Sequence, residues 1–290
     1  MSRIAIIGGG NMGEALLSGL LRAGRPVKDL VVSEKSPERS EYLSRTYGVR
    51  LASVSDAVEN VGFVILAVKP HDIDPVIAGI ADAAARAEGH AAEQVLVSVV
   101  AGVSTGHYEA RLPAGFPVIR VMPNAPALVG AGVSALSAGR FATPEQLAEV
   151  SELFESVGSA LVVPEDQIDT VTAVSGSGPA YYFLFLEALV DAAVANGLTR
   201  GLATDLAVQT MAGSAAMVLE RLDEGRQGAA GAAAGRPDTT ATELRALVTS
   251  PGGTTAAGLR ELERGGLRVA VAAAVEAAKT RSEQLGTTYE

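Results

Sequence analysis

The chain has 290 residues, enough for two domains at about 150 residues each, and carries 33 acidic against 23 basic residues for a formal charge of −10. That balance counts against a general nucleic-acid or anionic-membrane surface, and the lack of cysteine excludes a disulfide framework and thiolate chemistry. Aromatics make up 4% and tryptophan is absent, so stacking platforms for bases or sugars are not expected and a small substrate is the default.

The opening MSRIAIIGGG meets glycine after a short apolar run and has no signal-peptide cleavage pattern, so it reads as a buried first strand. RIAIIGGGNMGEALLSGLLRAG is then strand, tight turn and helix. Gly8, Gly10 and Gly13 stand in G-x-G-x-x-G spacing, and Leu16, Leu17, Leu20 and Leu21 follow at helical intervals. The three glycines would serve the turn, the approach of a pyrophosphate to the backbone and the packing of helix on strand, in that order. The triplet alone also describes a turn without a ligand; the flanking strand and helix favour a dinucleotide site.

DLVVSEK is a second strand. SPERSEYLSRTYG reads as a helix, with Pro37 near its start and Gly48 past its end. FVILAVKP, QVLVSVVAG, FPVIRVMPN and SALSAGR add further apolar strands. Strands alternating with helices predict a doubly wound, mainly parallel sheet whose ligand sits at the carboxyl ends of the strands. Gly8 to Gly13, Ser33 to Lys35, Ala67 to Pro70 and Met122 to Asn124 should converge there. Glu34, about twenty residues past the last glycine, stands where an acid binds the ribose hydroxyls of NAD. Beside it, Ser33, Lys35 and Arg39 offer instead to hold the extra phosphate of NADP, so the residues leave the cofactor open.

After LVVPEDQ the strand signals stop. Helices are expected from Pro179 to about Asn196, stopped by Gly197, from about Ala203 to Leu222, capped near Thr199, and from Leu267 to about Gln284. They are apolar on nearly every face, and a homo-oligomeric interface would bury them. The Gly/Ala-rich patch Gly225 to Gly235 reads as a surface loop without function. No uncharged apolar segment of about 18 residues is present, since the two longest candidates carry Glu187, Asp191 and Glu276; the chain reads as cytoplasmic, with no membrane or nucleic-acid partner.

Two stretches resemble each other: VSGSGPAYY, Val174 to Tyr182, and TSPGGTT, Thr249 to Thr255. Each sets small residues, hydroxyls and a proline at a helix start, with Ser250 a candidate N-cap and Pro251 a candidate first residue. Gly252 and Gly253 in a first turn would cost about 1 kcal/mol each, which suggests a backbone kept bare for an anion. Close-packed helix ends are the plainer alternative. No metal site is expected. His71, His90 and His107 read as loop or surface histidines, and the second half has no lysine before Lys279, which disfavours dehydrogenation of an alcohol through a general base. Reduction of a cyclic imine asks only for orientation and a hydroxyl near the nitrogen, and Thr254 or Thr255 could offer one.

IGGGNMG, AVKP, RVMPNAPALVGAG, VSGSGPAYYFLFLEAL and SPGGTTAAGLRELERGG together resemble the pyrroline-5-carboxylate reductases over essentially the whole chain. The resemblance implies a Rossmann-type domain, 1–164, and an all-α helical dimerisation domain, 165–290, in an enzyme that reduces L-1-pyrroline-5-carboxylate to L-proline. It implies NADPH as the preferred cofactor, with NADH possible, and homodimers gathered into a decamer with active sites between protomers. By the same match the cofactor would be held by Gly8, Gly10, Asn11, Met12, Gly13, Ser33, Glu34, Lys35, Ala67, Val68, Lys69, Pro70 and Asn124. The substrate would be held by Ser175, Gly176, Ser250, Gly252, Gly253, Thr254 and Thr255, with Thr255 facing the ring nitrogen as the catalytic hydroxyl. The chain departs from the pattern at Ala246, where many members carry an acid, and at Glu34, which gives an NADP enzyme no advantage. A non-catalytic NADP(H) sensor and a related hydroxyacid or imine reductase are the alternatives.

Overall fold

A computed structural model describes residues 2–86, 94–228 and 239–287. The chain divides into two compact units, one formed by 1–179 together with 275–290 and the other by 180–274.

The first unit is built on strands β1 (Ile4–Ile7), β2 (Leu30–Ser33), β3 (Arg50–Leu51), β4 (Phe63–Leu66), β5 (Val95–Ser98), β6 (Val118–Met122), β7 (Gly132–Ala138) and β8 (Gly158–Val162). They form one sheet in the order β3-β2-β1-β4-β5-β6-β7-β8. Pairing is parallel from β3 through β6; β7 runs antiparallel to β6, and β8 parallel to β7. The chain moves outward from β1 to β2 and β3, then returns to β4 on the other side of β1, which makes the β1/β4 junction the switch point where such sheets bind ligands. Ser33, Ile7, Leu66, Ser98 and Arg120 align across neighbouring strands, so the loops leaving β2, β1, β4 and β5 emerge from one edge.

Helices cover both faces: α1 (Asn11–Arg22), α2 (Pro37–Tyr47), α3 (Val54–Ala57), α4 (Ile73–Arg86), α5 (Thr105–Glu109) and α6 (Pro144–Glu155). Alternation along the strands sorts the core into two layers, as the period of two requires. Ile4, Ile6, Phe63 and Ile65 pack with Leu16 and Leu17 of α1, Leu43 of α2 and Phe154 of α6. Ala5, Ile7, Val64 and Leu66 pack with Ile73 and Ile77 of α4 and Tyr108 of α5. Each of the Ile, Leu, Val and Phe side chains contributes about 1.5–3 kcal/mol on burial. Pro37 does begin α2, behind the N-cap Ser36, and Gly48 ends it at φ 67°.

The chain then turns helical through α7 (Ile168–Val171), a π-helical turn Thr172–Gly176, and α8 (Gly178–Ala195). VSGSGPAYY is therefore mostly helix, because the hydroxyls of Thr172 and Ser175 bond back to the carbonyls of Ile168 and Val171 and keep the backbone wound. Gly197, at φ 101°, follows the end of α8. Next come α9 (Arg200–Gly228), α10 (Thr240–Leu247), α11 (Thr254–Arg264) and α12 (Leu267–Thr287). The backbone of Gly225 to Gly228 is helical, contrary to the expected loop; the rest of that patch to Gly235 lies outside the described residues.

The second unit has little core. Val190, Ala203 and Ala207 are buried together, whereas Tyr182, Phe183 and Leu184 of α8, Leu206 of α9 and Val269 of α12 stand exposed. Among the described residues, the helical stretches 165–195 and 200–224 are long and apolar enough to cross a membrane by length and composition. The first holds Glu187 and Asp191 and the second Asp205 and Glu220.

Candidate functional site

The glycine loop between β1 and α1 meets three distinct spatial demands. Gly8, at φ +104°, lies where a Cβ would come 2.6 Å from the Ala67 carbonyl oxygen, so the β1 and β4 loops touch through bare backbone. A Cβ on Gly13 would stand 2.0 Å from the Gly8 carbonyl oxygen, which fixes α1 against the turn. Around Gly10 nothing lies within 4 Å. Gly10 is also the N-cap of α1 and provides no side-chain cap, so the first N–H groups of this 12-residue helix have no capping side chain. Two packed glycines and one open one fit a pyrophosphate laid against this turn.

The loop is braced from β2. The Glu34 carboxylate accepts from the backbone N–H of Gly9 at 2.8 Å and of Ser36 at 2.8 Å, which joins the glycine turn to the start of α2. Arg39 donates through Nε to the Gly9 carbonyl at 2.7 Å and pairs with Glu14 in the first turn of α1. Gly9 itself is buried, and a Cβ there would meet Leu43 Cδ1 at 2.3 Å. Burial alone would raise the Glu14 carboxyl, but hydrogen bonds from Tyr47, Arg39 and Tyr42 outweigh it and hold the group below its usual range. Burial and the Glu14 hydrogen bond push the Tyr47 phenol up to about 12. Arg39 is thus built into the brace.

Lys35 takes a different course. Its ammonium reaches the β4 side, where it donates to both carboxylate oxygens of Asp72 at 2.8 Å. The Lys35 hydrogen bond is the main reason the Asp72 carboxyl sits below its ordinary value. Ala67 and Val68 are half-buried beside the Gly8 turn, Lys69 is exposed, and Pro70 begins the short 3₁₀ turn that carries His71 and Asp72.

At the end of β6, Asn124 is buried. Its Oδ1 accepts from Val133 N at 2.9 Å and its Nδ2 donates to the Ser175 carbonyl at 3.1 Å, so it ties the start of β7 to the π-helical turn. Gly176 leaves room for Met122, whose Cε would lie 2.7 Å from a Cβ there. Asn124, Ser175 and Gly176 are therefore brought together. π-Helical turns often accompany functional sites.

The stretch Thr249 to Thr255 lies in the other unit. Gly253 N donates to the Ser250 carbonyl at 3.0 Å, Pro251 and Gly252 occupy the turn, and Gly252 has φ +70°. Proline followed by a positive-φ glycine is the signature of a type II turn. Helix α11 begins only at Thr254, with Gly253 as N-cap and no side-chain cap. Ser250 is thus not the cap and Pro251 not the first helical residue, and the two glycines precede the first turn instead of weakening it. The first intrahelical bond runs from Ala257 N to Gly253 O, so the helix gives no partner to the N–H groups of Thr254, Thr255 and Ala256. Both threonines are exposed at this bare end.

The histidines separate. His71 is exposed; His90 lies outside the described residues. His107 is 7% exposed, against the expectation of a surface position, because α5 turns it inward toward Asp74 at 3.9 Å. Sequence reasoning missed the brace of Glu14, Arg39 and Tyr47 and the tight fit of Gly9. Gly9, the middle glycine of the GGG run and surplus to the motif, was the only signal for either.

Comparison with known proteins places these features. A sequence model described as pyrroline-5-carboxylate reductase dimerisation matches residues 165–285, and one described as NADP oxidoreductase, coenzyme F420-dependent, matches residues 3–102. The chain is 66% identical to a pyrroline-5-carboxylate reductase of Mycobacterium tuberculosis, over 100% of this chain and 99% of that protein. A solved pyrroline-5-carboxylate reductase from Coxiella burnetii superposes with a TM-score of 0.84 at 34% identity, covering 98% of both chains. The pyrroline carboxylate reductase of Plasmodium falciparum, solved with NADP bound, gives 0.81 at 29% identity, again over 98% of each.

Proposed function

This chain belongs to the pyrroline-5-carboxylate reductase family, and from that premise we propose how its own residues reduce L-1-pyrroline-5-carboxylate to L-proline, the final step of proline biosynthesis. The cofactor is NADP(H), with NADPH preferred over NADH in this reading. The observation that carries the assignment is the bare start of α11, which offers backbone N–H groups and an adjacent hydroxyl but no acid or base.

The N–H groups of Asn11, Met12 and Gly13 would hold the pyrophosphate, where the positive end of the α1 dipole adds to the attraction. Ser33, Glu34 and Lys35 attend the adenosine end, Ala67 to Pro70 line the same edge, and Asn124 fixes the backbone toward the nicotinamide. Bound NADPH supplies the hydride that reduces the imine carbon. The substrate carboxylate is held at the turn Ser250, Gly252 and Gly253 and by the N–H groups of Thr254 and Thr255. The Thr255 hydroxyl oxygen accepts a hydrogen bond from the N–H of the protonated ring nitrogen and fixes the ring's orientation. An iminium already carries its charge, so no strong base is required, in keeping with a second half that lacks lysine before Lys279. Ser175 and Gly176, in the π-helical turn, complete the residues proposed to bind the substrate.

The functional division is proposed at 1–164 and 165–290, supported by the dimerisation match that begins at 165. The apolar faces of α8 and α9 are proposed to pair with a second copy, with dimers gathered into a decamer in the cytoplasm. The experiment is oxidation of NADPH and of NADH by purified protein, followed by the absorbance of the reduced nicotinamide, with and without pyrroline-5-carboxylate. Proline-forming turnover, faster with NADPH, is expected. Tight binding of NADPH without turnover would replace the enzyme by a sensor.

A further inference from the structure

Three cations follow or face the end of β2: Lys35, Arg39 and, across the edge, Lys69. Arg39 is committed to the Gly9 carbonyl and to Glu14, and Glu34 has an oxygen on each of two backbone N–H groups. Lys35 is the one whose partner lies on the far loop. Its side chain is 74% exposed and its ammonium lies 2.8 Å from each oxygen of Asp72, whose own side chain is 25% exposed. A pair of oxygens presented to one ammonium is also what a phosphate offers, with greater charge and one more oxygen. The place is right for one, since the residues just past the second strand read the ribose 2′ position in folds of this kind. Asp72 has other neighbours to turn to, with His71 Nε2 at 3.5 Å from its Oδ2 and the Lys69 ammonium also acting on its charge.

We propose that Asp72 is the resident anion of the 2′-phosphate subsite: it holds Lys35 at the cleft edge until the phosphate of NADP(H) takes its place, and so limits the preference for NADPH over NADH. This rests on the reading of the first unit as an NADP(H) site. An exposed ion pair is weak and exchanges readily, which suits a partner that must give way. Removing the carboxylate should therefore release Lys35 for the phosphate without disturbing the glycine turn, to which Asp72 makes no hydrogen bond among the described residues.

The test is calorimetric titration of the full-length protein with adenosine 2′,5′-bisphosphate and with adenosine 5′-monophosphate, which differ only in the 2′-phosphate. Wild type should bind the bisphosphate more tightly. Asp72→Asn should tighten the bisphosphate by roughly two- to fivefold, the scale of an exposed ion pair, with no gain for the monophosphate. Lys35→Gln should erase the preference, and Asp72→Asn added to Lys35→Gln should change nothing further, because the pair acts as one unit. Unchanged or weakened bisphosphate binding in Asp72→Asn would overturn the proposal and leave the pair as a strap between two loops. Equal binding of both nucleotides by wild type would overturn the NADP(H) reading itself, and this inference with it.

Discussion

The helix starts at Gly10 and at Gly253 both lack a side-chain cap, yet the glycines around them answer different needs. At the first, Gly8 and Gly13 are bare because backbone presses on them from 2.6 and 2.0 Å, and Glu34 and Arg39 brace the turn from outside. At the second, Gly252 has nothing within 4 Å and is glycine because its φ is +70°. One proposed anion site is held by packing into a finished core; the other is held by the conformation of a single turn. Substitutions should therefore register as lost stability in the first and as altered kinetics in the second.

The largest effect is expected from Gly13→Ala. A methyl 2.0 Å from the Gly8 carbonyl must move the helix off the turn, costing about 1–3 kcal/mol or more. A lower urea midpoint together with lost NADPH binding would bear this out, and a normal midpoint would mean that the helix gives way easily. Thr255→Ala should lower kcat about 100-fold if the hydroxyl assists at the ring nitrogen, with Thr255→Ser close to wild type and the melting temperature unchanged in both. Equal rates for wild type and Thr255→Ala would remove that role. Gly252→Ala places a side chain at positive φ, at a cost of about 1–2 kcal/mol in the turn, and should raise KM for the substrate more than it lowers kcat. An unchanged KM would detach this turn from carboxylate binding.

The smallest effect concerns the brace. The folded-state Glu14 carboxyl titrates below its ordinary 4.5, so its contribution is present above that value and fades as pH falls through the lowered one. Glu14→Gln should be less stable than wild type near neutrality, with the gap narrowing in acid below about pH 4.5. A constant gap from neutral to acid pH would show that packing, not charge, is what Glu14 contributes.

Much of this architecture was legible in the chain. Strands β1, β2, β4, β5 and β6 are apolar runs buried on both faces, which leaves a continuous signal, whereas β3 has two residues and β8 carries Gly158 and Ser159, so neither stood out. The π-helical turn is hidden in the sequence because Ser175, Gly176 and Ser177 look like loop residues; the hydroxyl bonds that keep it helical depend on the backbone already being wound. His107 was read as exposed because its neighbours in sequence are small and polar, and only the packing of α5 on the sheet turns it inward.

By itself the sequence determined the doubly wound class, the glycine spacing at β1 and α1, the apolar helices that follow and the proline and glycines before α11, since each is a local pattern of period, size or backbone freedom. The tertiary structure alone decided which glycine is open and which are crowded, that Asn124 meets Ser175 and that Lys35 faces Asp72. The contacts of Gly8 with Ala67, Asn124 with Ser175 and Lys35 with Asp72 join residues 59, 51 and 37 positions apart, brought together by strand register, and no local pattern encodes such a distance.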